Sequence, residues 1–170
     1  MKKISLFLSA VLVMIIFTAA APIFKCNNRK AAFFKKKTSE KVVEAVKGWK
    51  IESVMLLDPL KDDGDKIQGF TIISSDTVEQ NTMNVFRGLL LDSDNFKKGN
   101  IVKNSTFLPD YACRFANDGE YVDVLVALYC DDIKIYHNDK VHTLDITPSH
   151  AHFADFIKGV FPQDNFIRKY

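Results

Sequence analysis

The residues best able to do chemistry in this chain are its four histidines, its three cysteines and a few close carboxylates. His150-Ala151-His152 would make a metal-binding arm on a strand, where both imidazoles share a face; on a helix they point about 200° apart. Thr147-Pro148 just upstream reads as a helix start, which makes both histidines first-turn surface residues. His137 and His142 flank an Asn138-Asp139 turn, and with Asp131 or Asp132 they would form a metal or acid/base cluster if the hairpin closed on them. That cluster is the basis of one alternative reading, an exported hydrolase or metal-dependent enzyme. Asp131-Asp132 by itself sits at a predicted turn, where acids serve local hydrogen bonding.

Other chemistries find no support. Cys26, Cys113 and Cys130 are odd in number and include no CxxC, so a zinc site is not indicated. With Asn117-Asp118-Gly119 as a hairpin turn, Cys113 falls opposite residue 124 and Cys130 lies beyond residue 128, too far apart for a disulfide. There is no Gly-x-Ser-x-Gly elbow, and the seven glycines are scattered singly, leaving no phosphate loop. The Asp62-Asp63-Gly64-Asp65 loop lacks the spacing and final Glu of an EF-hand. No catalytic residue, metal ligand or cofactor is therefore assigned from the sequence.

Charge divides the chain in two. Eight of the 23 Lys and Arg residues precede Thr38 and none of the 21 acids do, which leaves a formal charge of −6 on residues 38–170. A domain of that sign repels phosphate backbones, so nucleic acid is not an expected partner. Residues 1–20 have the order of a secretory leader: Lys2-Lys3, the charge-free run Ile4 to Phe17, then small residues through Ala20. Pro22 favours cleavage after Ala20 over Ala21. The alternative is an uncleaved membrane anchor, because charge-free residues continue to Phe24. Lys25 before Cys26 argues against a lipidated cysteine. Residues 21–37 read as a basic juxtamembrane tether, with Lys35, Lys36 and Lys37 beside Phe33 and Phe34 placed to rest on anionic lipid or to remain solvated. If the segment stays as an anchor, this heavier positive flank would hold the domain in the cytoplasm; export places it in the periplasm or on the outer surface.

The elements that position the rest belong to one α+β domain over residues 38–170. Ser39 caps a helix carrying Val42, Ala45, Val46 and Trp49. Ile51 to Leu57 and Phe70 to Ile73 read as strands. Asp76-Thr77-Val78-Glu79 has the form of a capped helix start, with Val78, Thr82, Val85, Phe86 and Leu89 on one face. Tyr111 to Ala116, Tyr121 to Leu128, Ile133 to Tyr136 and Val141 to Ile146 alternate around turn signals, which predicts an antiparallel meander of three to five strands. A last helix is predicted with Thr147 as N-cap, Pro148 first inside it, and Phe153, Phe156, Ile157 and Val160 as its apolar stripe. Phe161, Phe166 and Tyr170 are candidate anchors of the tail. Two or three helices covering one face of the sheet complete the expected fold.

The run FLPDYACRF followed by VDVLVALYCDDIKIY resembles the C-terminal pattern of small uncharacterised bacterial exported proteins: a Phe-x-Pro lead-in, an apolar strand ending in Cys, and a short strand ending in Tyr. The resemblance implies an envelope domain and no particular activity. A second cysteine belonging to that pattern is replaced here by the Thr106-Phe107 neighbourhood, so the pairing it would allow is absent. Together these readings lead to a non-enzymatic exported or membrane-tethered domain. It would bind a protein or cell-surface component through the exposed side of its sheet or the turn around it, with Tyr129, Cys130, Asp131, Asp132, Tyr136 and His137 as candidate contacts. A periplasmic inhibitor or immunity-type protein is the remaining alternative.

Overall fold

The computed structural model describes residues 28–99, 103, 105–165 and 167. Residues 1–20, expected to be a leader or anchor, lie outside the described residues, as do Cys26, Phe166 and Tyr170. The fold is α+β: a curled antiparallel sheet of seven strands with four α-helices among the described residues. Helices α1 (Asn28–Lys37) and α2 (Glu40–Gly48) lead into strand β1 (Lys50–Asp58). A hairpin of β2 (Lys66–Ile67) and β3 (Phe70–Asp76) follows, then α3 (Gln80–Leu91). The meander β4 (Tyr111–Asn117), β5 (Glu120–Ala127), β6 (Asp132–His137) and β7 (Lys140–Asp145) then runs into α4 (His150–Val160). The strand order is β2-β3-β1-β4-β5-β6-β7.

The sheet is larger than the three to five strands expected. The meander is as read, but β1 joins it by pairing with β4, Val54 opposite Cys113, and carries β3 and β2 on its far side. That pairing joins residues some sixty positions apart in the chain, and no local pattern encodes it. Where a turn sets the register, the sequence reading holds. Asp118 and Gly119 both have positive φ, as a type I′ turn demands, Asn117 faces Glu120, and Cys113 faces Val124 as expected.

One face of the sheet carries the main core. Val54, Leu56, Tyr111, Cys113, Phe115, Val124 and Ile135 meet Phe34, Val46, Phe86, Phe153 and Ile157 from the helices. Phe86 lies at its centre, stacked 4.9 Å from Phe156 and edge-on to Tyr111 and Phe153. Arg87 turns the other way and donates to the carbonyls of Val46 and Trp49, closing the end of α2.

Three expectations need correction here. Over Asn28–Lys37 the expected tether is a helix of the packed body: Phe34 is fully buried, Ala31 nearly so, and the half-buried Phe33 stacks on Phe96. Lys35, Lys36 and Lys37 occupy the exposed side of that helix. The box at Asp76-Thr77-Val78-Glu79 is not a helix start, because β3 runs to Asp76 and α3 begins at Gln80 without a side-chain cap. The shift rotates the helix, burying Met83, Phe86, Leu90 and Leu91 and leaving Val85 56% exposed. Thr147 is not an N-cap: residues Thr147–Ser149 form a 3-10 turn before α4, and Asp145 Oδ1 accepts the Thr147 N–H at 2.8 Å. Ser39 does cap α2, accepting the N–H of Val42 at 3.2 Å.

Candidate functional site

Helices cover only one face of the sheet. On the other, a small second cluster of Met55, Leu57, Ile67, Ala112 and Leu125 is sheltered by the β2–β3 hairpin and by Phe107, which meets Phe70 edge-on. Beyond that cluster, among the described residues, no helix covers this face over β4 to β7, and Tyr121 and Val141 are exposed on it. Strand register aligns Ser53, Arg114, Asp123, Tyr136 and Val141 in one row across five adjacent strands, β1 through β7.

Arg114 and Asp123 anchor this row. The guanidinium donates to both carboxylate oxygens, Nε to Oδ1 at 2.7 Å and Nη2 to Oδ2 at 2.9 Å. Asp123 is nearly fully buried and is also reached by Gln68 Nε2 at 2.7 Å. Gln68 arrives from the two-residue β2–β3 turn, where it holds a positive φ of 50° beside Gly69, a conformation unusual for a side chain of this type. A bidentate pair with a third hydrogen bond is fixed in direction, and the hydrogen bond to Asp123 raises the Arg114 pKa further above its already high ordinary value. The guanidinium also lies over the Tyr121 ring at 4.8 Å. Lys134, one row away, lies over the Phe107 ring at 4.4 Å.

Tyr121 and Val141 are 45% and 52% exposed, and Tyr136 stands half-buried between Asp123 and Val141. Burial pushes the Tyr136 hydroxyl pKa up, so it remains a neutral donor at physiological pH. Tyrosine and arginine are among the residue types enriched in protein-binding hot spots, and Val141 adds exposed apolar area beside them.

The six residues expected to form one site do not come together. Tyr129 through Asp132 are at the β5–β6 turn, while Tyr136 and His137 are at the far end of β6, about 16 Å along the strand. Tyr129 projects, 79% exposed. Cys130 is buried; burial first and Asp132 second raise its thiol pKa, so it is no nucleophile. Asp131, at a positive φ of 55°, accepts through Oδ1 from His150 Nδ1 at 2.6 Å. His150 is thereby a fastening between the turn and α4, not the simple surface residue expected. Asp132 pairs with Lys103, whose ammonium sits 3.0 Å from Asp132 Oδ1 and from Asp145 Oδ2 and donates to the carbonyls of Cys130 and Asp131. Burial alone would lower the Lys103 pKa, but the bonds to Asp132 and Asp145 outweigh it and raise it.

His137 lies on the helix-covered face, edge-on to Trp49 at 6.5 Å, so of the two residues at that end only Tyr136 belongs to the open face. The cluster of His137, His142 and Asp131 or Asp132 does not form: Asp131 and Asp132 lie at the other end of β6 from His137, His142 sits mid-strand opposite Ile135, and Asp131 and Asp132 are engaged by His150 and Lys103. Among the described residues, no group of three His, Cys, Asp or Glu side chains is placed to hold a metal ion. Cys113 and Cys130 are both free thiols. A groove of about 620 Å³ between α3 and α4, lined by Val85, Leu89, His152, Asp155 and Phe156, is apolar but for its rim.

Sequence reasoning missed Arg114, Asp123, Gln68, Tyr121 and Lys134. Arg114 and Asp123 could have been found, since the Asp118-Gly119 turn alone places them opposite each other; Gln68 could not, because its partner is 55 residues away. No family model, curated protein or solved structure matches this chain.

Proposed function

We propose that this protein is a non-enzymatic domain exported to, or tethered in, the bacterial cell envelope, and that it binds a protein or cell-surface component through the uncovered face of its sheet. The observation that carries the binding reading is the row Arg114–Asp123–Tyr136–Val141 with Tyr121 beside it. These are exposed apolar and aromatic surfaces held rigid by a buried ion pair, and such a patch on a small domain marks an interaction site. The charge of −6 on residues 38–170 supports a partner other than nucleic acid. The envelope reading rests on the leader pattern of residues 1–20 and on the resemblance of the Phe107 to Tyr136 region to exported proteins.

Two measurements test it. A photo-crosslinking residue placed at Tyr121 or Tyr136 in the host should yield an adduct with one other macromolecule, and the same residue at Lys47, exposed on α2, should not. Equal adducts at all three positions, or none, would remove the uncovered face as the site. Intact-mass analysis of the host protein should give an N-terminus at Ala21, with the domain open to protease in spheroplasts. A full-length chain sheltered from protease would move the domain to the cytoplasm.

A further inference from the structure

Among the described residues strand β7 ends the sheet, and its outer side pairs with no further strand. Which of its backbone groups face outward follows from two contacts. The two-residue Asn138-Asp139 turn closes on the pair His137–Lys140, and the closing pair of such a hairpin is hydrogen-bonded, so Lys140, His142 and Leu144 direct their N–H and C=O toward β6. Asp145 O instead accepts from Lys97 N at 2.9 Å, from outside the sheet. Val141, Thr143 and Asp145 therefore direct their backbone groups outward. Among the described residues, Asp145 has a backbone partner on that side in Lys97, while the N–H and C=O of Val141 and Thr143 have none.

We infer that this edge pairs with the same edge of a second copy of the chain, antiparallel across a two-fold axis at His142. Only outward-directed residues can exchange hydrogen bonds, which restricts the register. Thr143 opposite Thr143 would set Val141 against Asp145, whose carbonyl is already taken by Lys97. Val141 opposite its own counterpart would form a single pair. Val141 opposite Thr143 of the partner copy, and the converse, uses the N–H and C=O of both residues and makes four bonds. That register also brings the exposed Asp139 at each hairpin tip opposite Asp145 of the other copy, whose carboxylate is already paired with Lys103, with Lys97 next to it. Lys97 acts as a stop, because a longer overlap would run into it. The pairing makes one continuous sheet of fourteen strands and sets the two uncovered faces side by side, so the inference goes beyond the proposed binding role and does not depend on it.

The register has a distinct covalent signature. His142 would face its own counterpart as a non-hydrogen-bonded pair, with Cα atoms about 4.5 Å apart, within the range a disulfide spans. In the full chain with Cys26→Ser, His142→Cys should oxidise almost wholly to a disulfide dimer under mild oxidant, while Thr143→Cys should give at least tenfold less. Val141→Pro removes an outward donor without touching a bond to β6, and an edge strand tolerates it. It should shift the sedimenting species from dimer to monomer; Thr143→Lys, which needs no backbone change, should do the same. A protein that sediments as a monomer at every concentration overturns the inference. So does a dimer unaffected by both edge variants, equal cross-linking at 142 and 143, or His142→Cys captured by a different protein.

Discussion

The two faces of this sheet are held together by different physics. The helix-covered face is a continuous apolar core around Phe86, in which no single neighbour is indispensable to its type but every atom is packed. The uncovered face is held by a few oriented polar contacts, Arg114 with Asp123 and Gln68 above all, and its apolar residues remain in part exposed to water. The first arrangement gives stability. The second fixes the shape of a surface that no helix covers among the described residues, and a preorganised surface loses less on binding.

That contrast can be tested by comparing losses. Phe86→Ala should have the largest effect, about 3–5 kcal/mol of unfolding free energy in a denaturant titration, because it opens a cavity between Phe156, Tyr111 and Phe153. A loss under 1 kcal/mol would mean the core is looser than its packing indicates. On the other face, Arg114→Met should cost about 2–3 kcal/mol by leaving the buried Asp123 carboxylate with Gln68 alone. Arg114→Lys should recover less than half of this, since an ammonium cannot make the bidentate pair.

At the edge of that contrast stands Lys103, tying the β5–β6 turn through Asp132 and Asp145. Lys103→Met should cost about 2 kcal/mol near neutral pH. Burial tends to raise the Asp145 pKa, but the hydroxyl and N–H of Thr147 together with Lys103 hold it below the ordinary carboxylate value. A depressed carboxylate contributes stability that is present above its unfolded pKa, about 3.9, and is lost as pH falls through the lower folded value. The Lys103 pKa is raised in the fold, so its contribution is full below its unfolded value, about 10.4, and disappears as pH rises through the folded one. The difference between wild type and Lys103→Met should therefore be flat across neutral pH and shrink at both extremes. A difference independent of pH would show that lost packing, not charge, is being measured. The smallest stability effect belongs to Tyr121→Ser, within about 0.5 kcal/mol, although it should abolish the cross-linked adduct at the neighbouring Tyr136.

The sequence was legible where neighbouring residues decide the structure and opaque where distant ones do. Ser39, the Asp118-Gly119 turn, the alternation of β4 to β6 and the apolar stripe of α4 are local signals, and the structure follows them. The start of α3 was misplaced because Asp76 and Thr77 have equal claim to end a strand, and pairing of Asp76 with Val54 decides it. Thr147 looked like a cap, but Asp145 draws its N–H into a local turn and the helix begins only at His150. The candidate site suffered most, because which side of a strand stays uncovered depends on where helices land. Period-two alternation marks two faces without saying which one the solvent, or a partner, will see.

Helix α1, which carries the fully buried Phe34, begins at Asn28, eight residues after Ala20. Eight residues of fully extended chain reach at most about 29 Å. If a bilayer or a translocation pore holds residues 1–20, the folded body is on a short leash. It cannot tumble to present any side at will, and the geometry of attachment then selects which surfaces are able to meet anything at all.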